Sequence, residues 1–598
     1  MDKERGYCMK NSKNIVDGYL KQQNWRVKEN SNSPYSYGGL GKYIIGEVSK
    51  DYWLREVYPE YISKEYVNGT IHIHDLGGLT LYCCGYSLKN LITMGVKGVP
   101  NIPASAPARH FDSILNQISN MITVYQNEIM GAVAFSSVDT LLAPFIKKDR
   151  LRYSEVKQSL QNFIFSINSN SRGGAEPAFS NITLDLTPPK DLVNEYAMIG
   201  NGYADFTYKE CQKEMDMFNR AFCELMIDGD ANGRPFAYPI PTYNIHERFD
   251  WDNPNNKLLW EMAGKYGYPY FANFINSDMK PEDARSMCCR LRLDLTELQK
   301  RNGGLFGSGD STGSIGVVTV NLPHIAYKTK GNEKDFFSEL DRVLNIAKDS
   351  LEIKREWLQN NVIETRLIPA FDTYVGTIRN HFSTIGIVGM NEMCENFFGE
   401  GVDILTEKGK QMCIDVSTFI RNKLLDFQQE TGNLYNYEAT PAEATCYRLA
   451  KKDKEVFQDI ITRGTCKAPY YTNSCHIPVN KIKGIKETFD HQEDLQILFT
   501  GGTVIHIFTS GAISGETAKS IIKTVCNEYK VPYVSISPLN RYCPEHGYIV
   551  DKVDDCPICK SPLKMYQRIT GYLRCVDNYN DGKRAEFYER NQLDPEAD

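Results

Sequence analysis

Four side chains near the C-terminus have the types and the spacing of a metal site. Cys543 and His546 form a Cys-x-x-His pair, and Cys556 and Cys559 form a Cys-x-x-Cys pair a short loop later. Two such pairs of soft ligands are typical of a structural, tetrahedral zinc site. In a chain of 17 cysteines the alternative is coincidence. Because two pairs occur at a workable loop length, the spacing favours zinc.

Gly571 follows these ligands in the run Arg568–Leu573, which reads Arg-Ile-Thr-Gly-Tyr-Leu. A lone glycine usually marks a turn. Placed after a four-ligand zinc pair, however, this run resembles the radical-bearing loop of anaerobic (class III) ribonucleoside-triphosphate reductases. In that family the glycine is stored as a backbone α-carbon radical. Without a side chain, the radical carbon can flatten and delocalise between the amide nitrogen and the carbonyl.

Two further cysteine motifs carry the same resemblance. Cys83, in the run Leu81–Leu88, resembles the active-site cysteine on the family's first barrel strand. Cys289 precedes Arg290 and resembles the thiyl cysteine of the finger loop, with Cys288 where other members have glycine. On the residues alone, buried core thiols remain the alternative. The resemblance extends from about residue 20 to about residue 590.

The run Glu438–Cys446 combines Thr, Pro and Ala with a following helical pattern. It suits a helix N-terminus that offers backbone N–H groups to phosphate, although an ordinary capped helix fits as well. The family binds substrate phosphates here. Glu443 is our candidate for the carboxylate that assists the chemistry. The resemblance implies substrate contacts at Thr440, Pro441, Ala442, Ala444 and Thr445.

The resemblance also implies the architecture. We expect an α/β fold, a ten-stranded α/β barrel of two half-barrels with a central finger loop. Residues 1–535 would form this catalytic core, and residues 536–598 a C-terminal zinc-binding and glycyl-radical domain. Many members carry an N-terminal regulatory ATP-cone domain, and this chain is expected to start directly at the core.

The family's mechanism then assigns roles. A separate S-adenosylmethionine/iron–sulfur activating enzyme would create the radical on Gly571. Gly571 would oxidise Cys289 to a thiyl radical, which takes the ribose 3′-hydrogen of a ribonucleoside triphosphate. The 2′-hydroxyl would leave as water, with Cys83 placed to protonate it.

The source of the two electrons stays open between formate and a thioredoxin-like dithiol. Aerobic reductases hold a second barrel cysteine where this chain has Ser314 or Ile315, so a simple partner for Cys83 is missing. Four other thiols leave room for a dithiol donor: Cys84, Cys288, Cys446 and Cys475.

The family selects among substrates by binding deoxynucleotides or ATP at a specificity site near a dimer interface. We place that site loosely at residues 105–170 and expect a homodimer.

Periodicity predicts the elements that position these residues. Thr70–Leu76 alternates like a strand, with His72 and His74 on one face. Metal ligation by this pair is conceivable, and polar residues beside an active site are the simpler interpretation.

Longer segments are read in the same way. Residues 314–323 form a buried strand pattern, and residues 335–365 and 405–430 have helical periodicity. The run 126–136 has small residues at helix-packing positions.

The overall composition and net charge exclude several classes of protein. Hydrophobic residues make up 41% and charged residues 24% of 598, which is typical of a globular protein. We expect no membrane-spanning segment and no signal peptide, and therefore reduced thiols in a cytoplasmic protein. A net charge of -7 argues against a general nucleic-acid surface.

Two alternatives come from other groups. A radical acyltransferase or lyase of the pyruvate formate-lyase type also uses adjacent cysteines, but that group lacks the zinc pair before the glycine. A zinc-ribbon binding protein with a large scaffold is the other, and the acidic balance and the two cysteine motifs argue against it.

Overall fold

The computed structural model describes residues 11–22, 25–28, 35–279 and 312–596. Cys288 and Cys289 lie outside these described residues. In chain order the strands are β1 (Ile71–Ile73), β2 (Cys83–Gly85), β3 (Val133–Phe135), β4 (Asn170–Arg172), β5 (Glu176–Pro177), β6 (Ser180–Leu184), β7 (Tyr196–Ile199), β8 (Gly202–Thr207), β9 (Ile240–Ile245), β10 (Tyr270–Asn273), β11 (Gly313–Asn321), β12 (His381–Val388), β13 (Leu434–Glu438), β14 (Arg463–Gly464), β15 (Pro469–Tyr470), β16 (Ile505–Thr509), β17 (Tyr533–Pro538), β18 (Asn540–Cys543), β19 (Gly547–Ile549), β20 (Lys564–Arg568) and β21 (Leu573–Cys575).

The α-helices of the described residues cover and connect these strands. In chain order they are α1 (Ser12–Leu20), α2 (Tyr37–Tyr52), α3 (Glu60–Asn68), α4 (Leu88–Met94), α5 (Phe111–Glu128), α6 (Val138–Asp149), α7 (Tyr153–Ile167), α8 (Gln212–Asp228), α9 (Lys257–Tyr266), α10 (Leu322–Thr329), α11 (Glu333–Leu358), α12 (Pro369–Tyr374), α13 (Met390–Phe398), α14 (Glu407–Thr431), α15 (Glu443–Val456), α16 (Ile485–Gln496), α17 (Gly515–Glu528) and α18 (Asp581–Glu589).

One large sheet organises the molecule. Ten strands follow the order β13-β12-β11-β2-β3-β6-β9-β10-β17-β16, and β1 adds an eleventh by pairing with β11. Strands β2, β3, β6, β9 and β10 run parallel to one another, and so do β11, β12 and β13. The β11–β2 and β10–β17 junctions are antiparallel. This confirms the mixed α/β class.

The sequence explains why these strands lie inside. Every residue of β11 is buried, as is every residue of β12. Both strands are rich in Val and Ile, as expected for parallel strands covered on both faces. The loop that leads into the end strand β16 contacts the other end strand, β13. In that loop the amide of Gly501 donates to the carbonyl of Tyr437 at 2.6 Å. Closure of the sheet into a ten-stranded barrel remains a prediction.

A separate four-stranded antiparallel sheet follows, in the order β19-β18-β20-β21. It starts at Asn540, directly after the last strand of the large sheet. The proposed domain division at residues 535 and 536 remains a prediction.

Several local expectations have a clear outcome. The strands at Ile71–Ile73 and Gly313–Asn321 and the long helices α11 and α14 confirm the periodicity. The prediction of helix packing for the run 126–136 is wrong, since α5 ends at Glu128 and the small residues lead into strand β3. In the part of the chain that the structure describes, no helix is both long and apolar enough to cross a membrane.

Candidate active site

The four predicted metal ligands lie together in the C-terminal sheet. Their ligand atoms are all within 4.8 Å of one another. The Cys543 sulfur lies 3.5 Å from Nδ1 of His546 and 3.6 Å from the Cys559 sulfur. The Cys556 sulfur lies 3.6 Å from the same imidazole nitrogen. Tetrahedral zinc with ordinary bond lengths separates its ligands by about 3.5–3.8 Å, so these residues fit the ion.

Local contacts shift the pKa values of the thiols in this cluster in both directions, since desolvation raises that of Cys543. Hydrogen bonds from the side chain and backbone of Ser561 hold the pKa of Cys559 at about 6, below its ordinary value. A thiolate is the form that binds metal. His546 sits in the turn between β18 and β19, where Gly547 adopts a φ of +74°. The left-handed turn favours glycine there and brings the imidazole back over Cys543.

Gly571 lies buried in the loop between β20 and β21, and hydrogen bonds hold the peptide groups on both sides of its α-carbon. Its amide donates to Oε1 of Glu443 at 3.0 Å. Its carbonyl accepts from Nη1 of Arg568 at 3.1 Å and from the hydroxyl of Tyr270. An acceptor on the nitrogen side and donors on the oxygen side match the delocalisation that an α-carbon radical needs.

Arg590, just after α18, fixes the strand that leads into this loop. Its guanidinium donates to the carbonyls of Arg568 and Ile569, both at 2.9 Å. It also pairs with Glu586 at 2.8 Å, so a buried charge is balanced.

Glu443 is the first residue of α15, and its carboxylate connects this helix to the glycine loop. Its second carboxylate oxygen accepts from the Tyr572 hydroxyl at 3.2 Å. Burial raises the pKa of Glu443, although the Gly571 amide and the charge of Lys583 act in the opposite direction. A raised pKa is what a general acid at neutral pH needs.

A cavity of about 410 Å³ opens beside Gly571 and Glu443. Three of the five expected substrate-binding residues line it, namely Pro441, Ala444 and Thr445. Thr440 and Ala442 are instead buried in the core. Its floor is formed by strand residues of the large sheet, Asn181, Ile240 and Tyr270, and by residues that lie just before β2 and β3, namely Tyr82, Gly131 and Ala132.

Cys83 is buried at the start of β2, next to this floor. The strand register places Ser314 of β11 directly opposite it. The Ser314 hydroxyl lies 3.0 Å from that of Thr384. Gly131 is required here, because a Cβ at that position would lie 2.7 Å from the Tyr82 carbonyl and 3.3 Å from the Cβ of Cys83.

Three of the four thiols that leave room for a dithiol donor lie within the described residues, and these three are poorly suited to nucleophilic chemistry. Cys84, Cys446 and Cys475 are buried. Burial raises the pKa of Cys446 and Cys475 to about 12 and that of Cys84 further. They are therefore protonated at neutral pH.

The family model for anaerobic ribonucleoside-triphosphate reductase matches residues 29–592. The chain belongs to the anaerobic ribonucleoside-triphosphate reductase family. It is 23% identical over 591 residues to the Escherichia coli K12 enzyme of that name, covering 92% of this chain and 80% of the relative. It is 23% identical to the phage T4 enzyme, covering 82% and 83%.

Solved structures show the same fold. The anaerobic ribonucleotide reductase from Thermotoga maritima, in complex with dATP and CTP, matches with a TM-score of 0.75 and 19% identity. The match covers 97% of this chain and all of that one. Glycyl-radical chemistry is general to this reductase class, and membership sets aside the pyruvate formate-lyase and zinc-ribbon alternatives.

Within this anaerobic reductase, sequence reasoning missed Tyr270 and the role of Arg590. Neither belongs to a motif, since Tyr270 is 301 positions from the carbonyl that it contacts. Arg568 lay within the radical-loop motif, but its contact with the glycine carbonyl was not foreseen.

Proposed function

We propose that this ribonucleotide reductase converts ribonucleoside triphosphates to 2′-deoxyribonucleoside triphosphates in the cavity beside Gly571. The observation that carries the proposal is the hydrogen bond between Glu443 and the Gly571 amide, on the wall of that cavity. The CTP and dATP in the Thermotoga maritima structure support a nucleotide substrate and a separate nucleotide effector.

Each radical step of the proposed reaction transfers one hydrogen atom. The Gly571 α-carbon radical takes hydrogen from the Cys289 thiol, and the thiyl radical takes the ribose 3′-hydrogen. The 2′-hydroxyl leaves as water, for which Cys83 supplies a proton and Glu443 assists. Two electrons come from formate, released as carbon dioxide, or from a dithiol, released as a disulfide. The 3′-hydrogen then returns, and the glycyl radical is restored.

Three partners complete the proposal. Cys543, His546, Cys556 and Cys559 would hold one structural zinc, which stabilises the C-terminal sheet. An S-adenosylmethionine/iron–sulfur activating enzyme would generate the radical. Two copies of the chain would form the dimer, with deoxynucleotide or ATP effectors near residues 105–170.

The test is anaerobic activation followed by a reduction assay with each ribonucleoside triphosphate. Gly571→Ala should give no stored radical by electron spin resonance and no product. Cys289→Ala should still store the radical but make no deoxynucleotide. Substantial turnover by Cys289→Ala would refute its assignment and direct attention to Cys288. An activated chain that carries the radical but reduces no ribonucleotide would refute the function.

A further inference from the structure

A second carboxylate of α15, that of Asp453, is fully buried near the end of the helix that lies away from Glu443. A helix rises by about 1.5 Å per residue, so the two side chains start about 15 Å apart along the helix axis. Glu443 contacts the glycine loop. The same helix therefore carries one carboxylate at the glycine loop and one deep in the protein.

Three side chains from other segments contact the carboxylate of Asp453. Its Oδ1 lies 2.6 Å from Nδ1 of His324. Its Oδ2 accepts from Nδ2 of Asn321 at 2.8 Å and from the hydroxyl of Tyr471 at 2.7 Å. Burial raises the pKa of Tyr471, and the charge of Asp453 raises it further, so the phenol keeps the proton that it donates. Each oxygen of this buried group is thus satisfied by a buried partner.

One of these partners belongs to the strand that adjoins the cavity floor. Asn321 is the last residue of β11, and the other end of β11 places Ser314 opposite Cys83. The contact between Asp453 and Asn321 therefore joins the helix at the glycine loop to the strand beside Cys83.

Close packing surrounds the same junction. Gly69 follows α3 with a φ of +85°, and a Cβ there would lie 3.1 Å from the Cβ of Lys452. The Gly69 carbonyl accepts from the side chain of Asn321 at 2.8 Å. The amide of Tyr471 donates to the carbonyl of Cys446 at 3.2 Å. Because a packed helix moves as a rigid element, a shift at this junction would move the whole of α15.

We propose that Asp453 is a positioning residue for the radical reaction, because its carboxylate fixes α15 against β11 and so holds Glu443 against the Gly571 amide. The proposal deepens the proposed function and rests on it for the role of Gly571. Asp453 does not line the cavity, so it acts through the helix. A displaced α15 would lengthen the contact of 3.0 Å between Glu443 and the glycine amide. It would also move the cavity wall at Ala444 and Thr445.

The experiment compares variants that remove different numbers of these contacts. Asp453→Leu removes the acceptor for all three donors. Tyr471→Phe and His324→Phe each remove one donor and keep an aromatic ring. Asp403→Leu is the matched control, because Asp403 is another buried aspartate, pairs with Lys481 and lies before α14 rather than on the cavity wall.

Two kinds of measurement are made on each full-length variant. Amide hydrogen exchange at Gly571 is followed by mass spectrometry on the unactivated chain, which needs no activity. After anaerobic activation, electron spin resonance gives the lifetime of the radical, and a reduction assay with CTP gives kcat. The urea-unfolding midpoint reports general destabilisation.

The Gly571 amide should exchange roughly 10- to 100-fold faster in Asp453→Leu, because charge-assisted hydrogen bonds that hold α15 are lost. Tyr471→Phe and His324→Phe should show smaller increases. Radical lifetime and kcat should fall in the same order of variants. Asp403→Leu should keep Gly571 exchange within about threefold of wild type, even where its urea midpoint falls.

Unchanged exchange at Gly571 in every folded variant would overturn the proposal, and so would an equal increase in Asp403→Leu. If Asp453→Leu fails to fold, Tyr471→Phe and His324→Phe decide.

The outcome separates this proposal from the proposed function. If Gly571 exchange responds as expected but the activated wild-type chain reduces no ribonucleotide, the positioning role stands and the proposed function fails. If the wild type reduces CTP and the variants change neither exchange nor kcat, the function stands and the role of Asp453 is wrong.

Discussion

The carboxylate of Glu443 accepts the amide proton of Gly571 at 3.0 Å, although the two residues are 128 positions apart in the chain. One residue thus belongs both to the first turn of the cavity-lining helix α15 and to the support of the glycine loop. A displacement of the cavity wall can therefore shift the glycine loop through this one side chain.

Glu443 variants separate proton transfer from support of the loop. Glu443→Gln keeps an acceptor for the Gly571 amide but loses the acidic proton, so turnover should fall roughly 10²- to 10⁴-fold while the radical still forms. Glu443→Ala should also shorten the anaerobic lifetime of the radical, measured by electron spin resonance. Glu407→Gln, in the exposed first turn of α14, is the control. Wild-type turnover in Glu443→Gln, or equal lifetimes in both variants, would contradict the corresponding role.

Zinc binding should depend on the four-residue cluster alone. Cys556→Ser should reduce bound zinc from one ion per chain to nearly none and lower the yield of radical, because structural zinc contributes folding energy. Cys526→Ser, a buried thiol on α17, should keep full zinc. Elemental analysis of protein purified without chelator gives the count. A zinc-free wild type would refute the site.

The register opposite Cys83 predicts a cross-link. Opposed side chains in an antiparallel pair have Cβ atoms about 4.5–5.5 Å apart, so a small shift brings them to the roughly 3.5–4.5 Å of a disulfide. In Ser314→Cys, mild oxidation should join position 314 to Cys83, as detected by peptide mapping. Val317→Cys is the control, since it lies three residues further along β11, beyond the two residues of that strand that pair with β2. A cross-link in the control only would show that the register is wrong.

His381 predicts part of the acid sensitivity. Burial lowers its pKa to about 3 from an ordinary 6.5, with a further contribution from Arg355. The unfolded chain therefore binds a proton that the folded chain does not, and stability present above pH 6.5 is lost as pH falls toward 3. The slope is about 1.4 kcal/mol per pH unit for one proton. His381→Leu should flatten the urea-unfolding profile between pH 6 and pH 4 by up to that amount, whereas an unchanged slope would contradict the assignment.

Local patterns were sufficient for much of the site. The four-residue metal-ligand cluster could be recognised because its spacing is set by two tight turns. β11 could be recognised because a strand buried on both faces is a continuous apolar run. Gly571 needed the family resemblance, since a glycine has no side chain whose chemistry could be read.

Contacts between distant segments could not be predicted in this way. The small residues of the run 126–136 suit helix packing and close strand packing equally. In the structure they lead into a strand, and Gly131 lies close to the Tyr82 carbonyl. The contact of Tyr270 with the glycine carbonyl depends on how β10 and the β20–β21 loop meet. The periodicity of a single segment carries no information about which distant segment it contacts.

The hydrogen bonds from Arg590 to the carbonyls of Arg568 and Ile569 have a consequence for a chain whose backbone is broken nearby. A break of the backbone at Gly571 would leave β21, α18 and Arg590 on one piece and β20 on the other. The β20–β21 ladder and the arginine contacts span that break, so both pieces would stay in place. A chain broken at this bond would therefore keep its native size under non-denaturing conditions, and only denaturation would separate the two pieces.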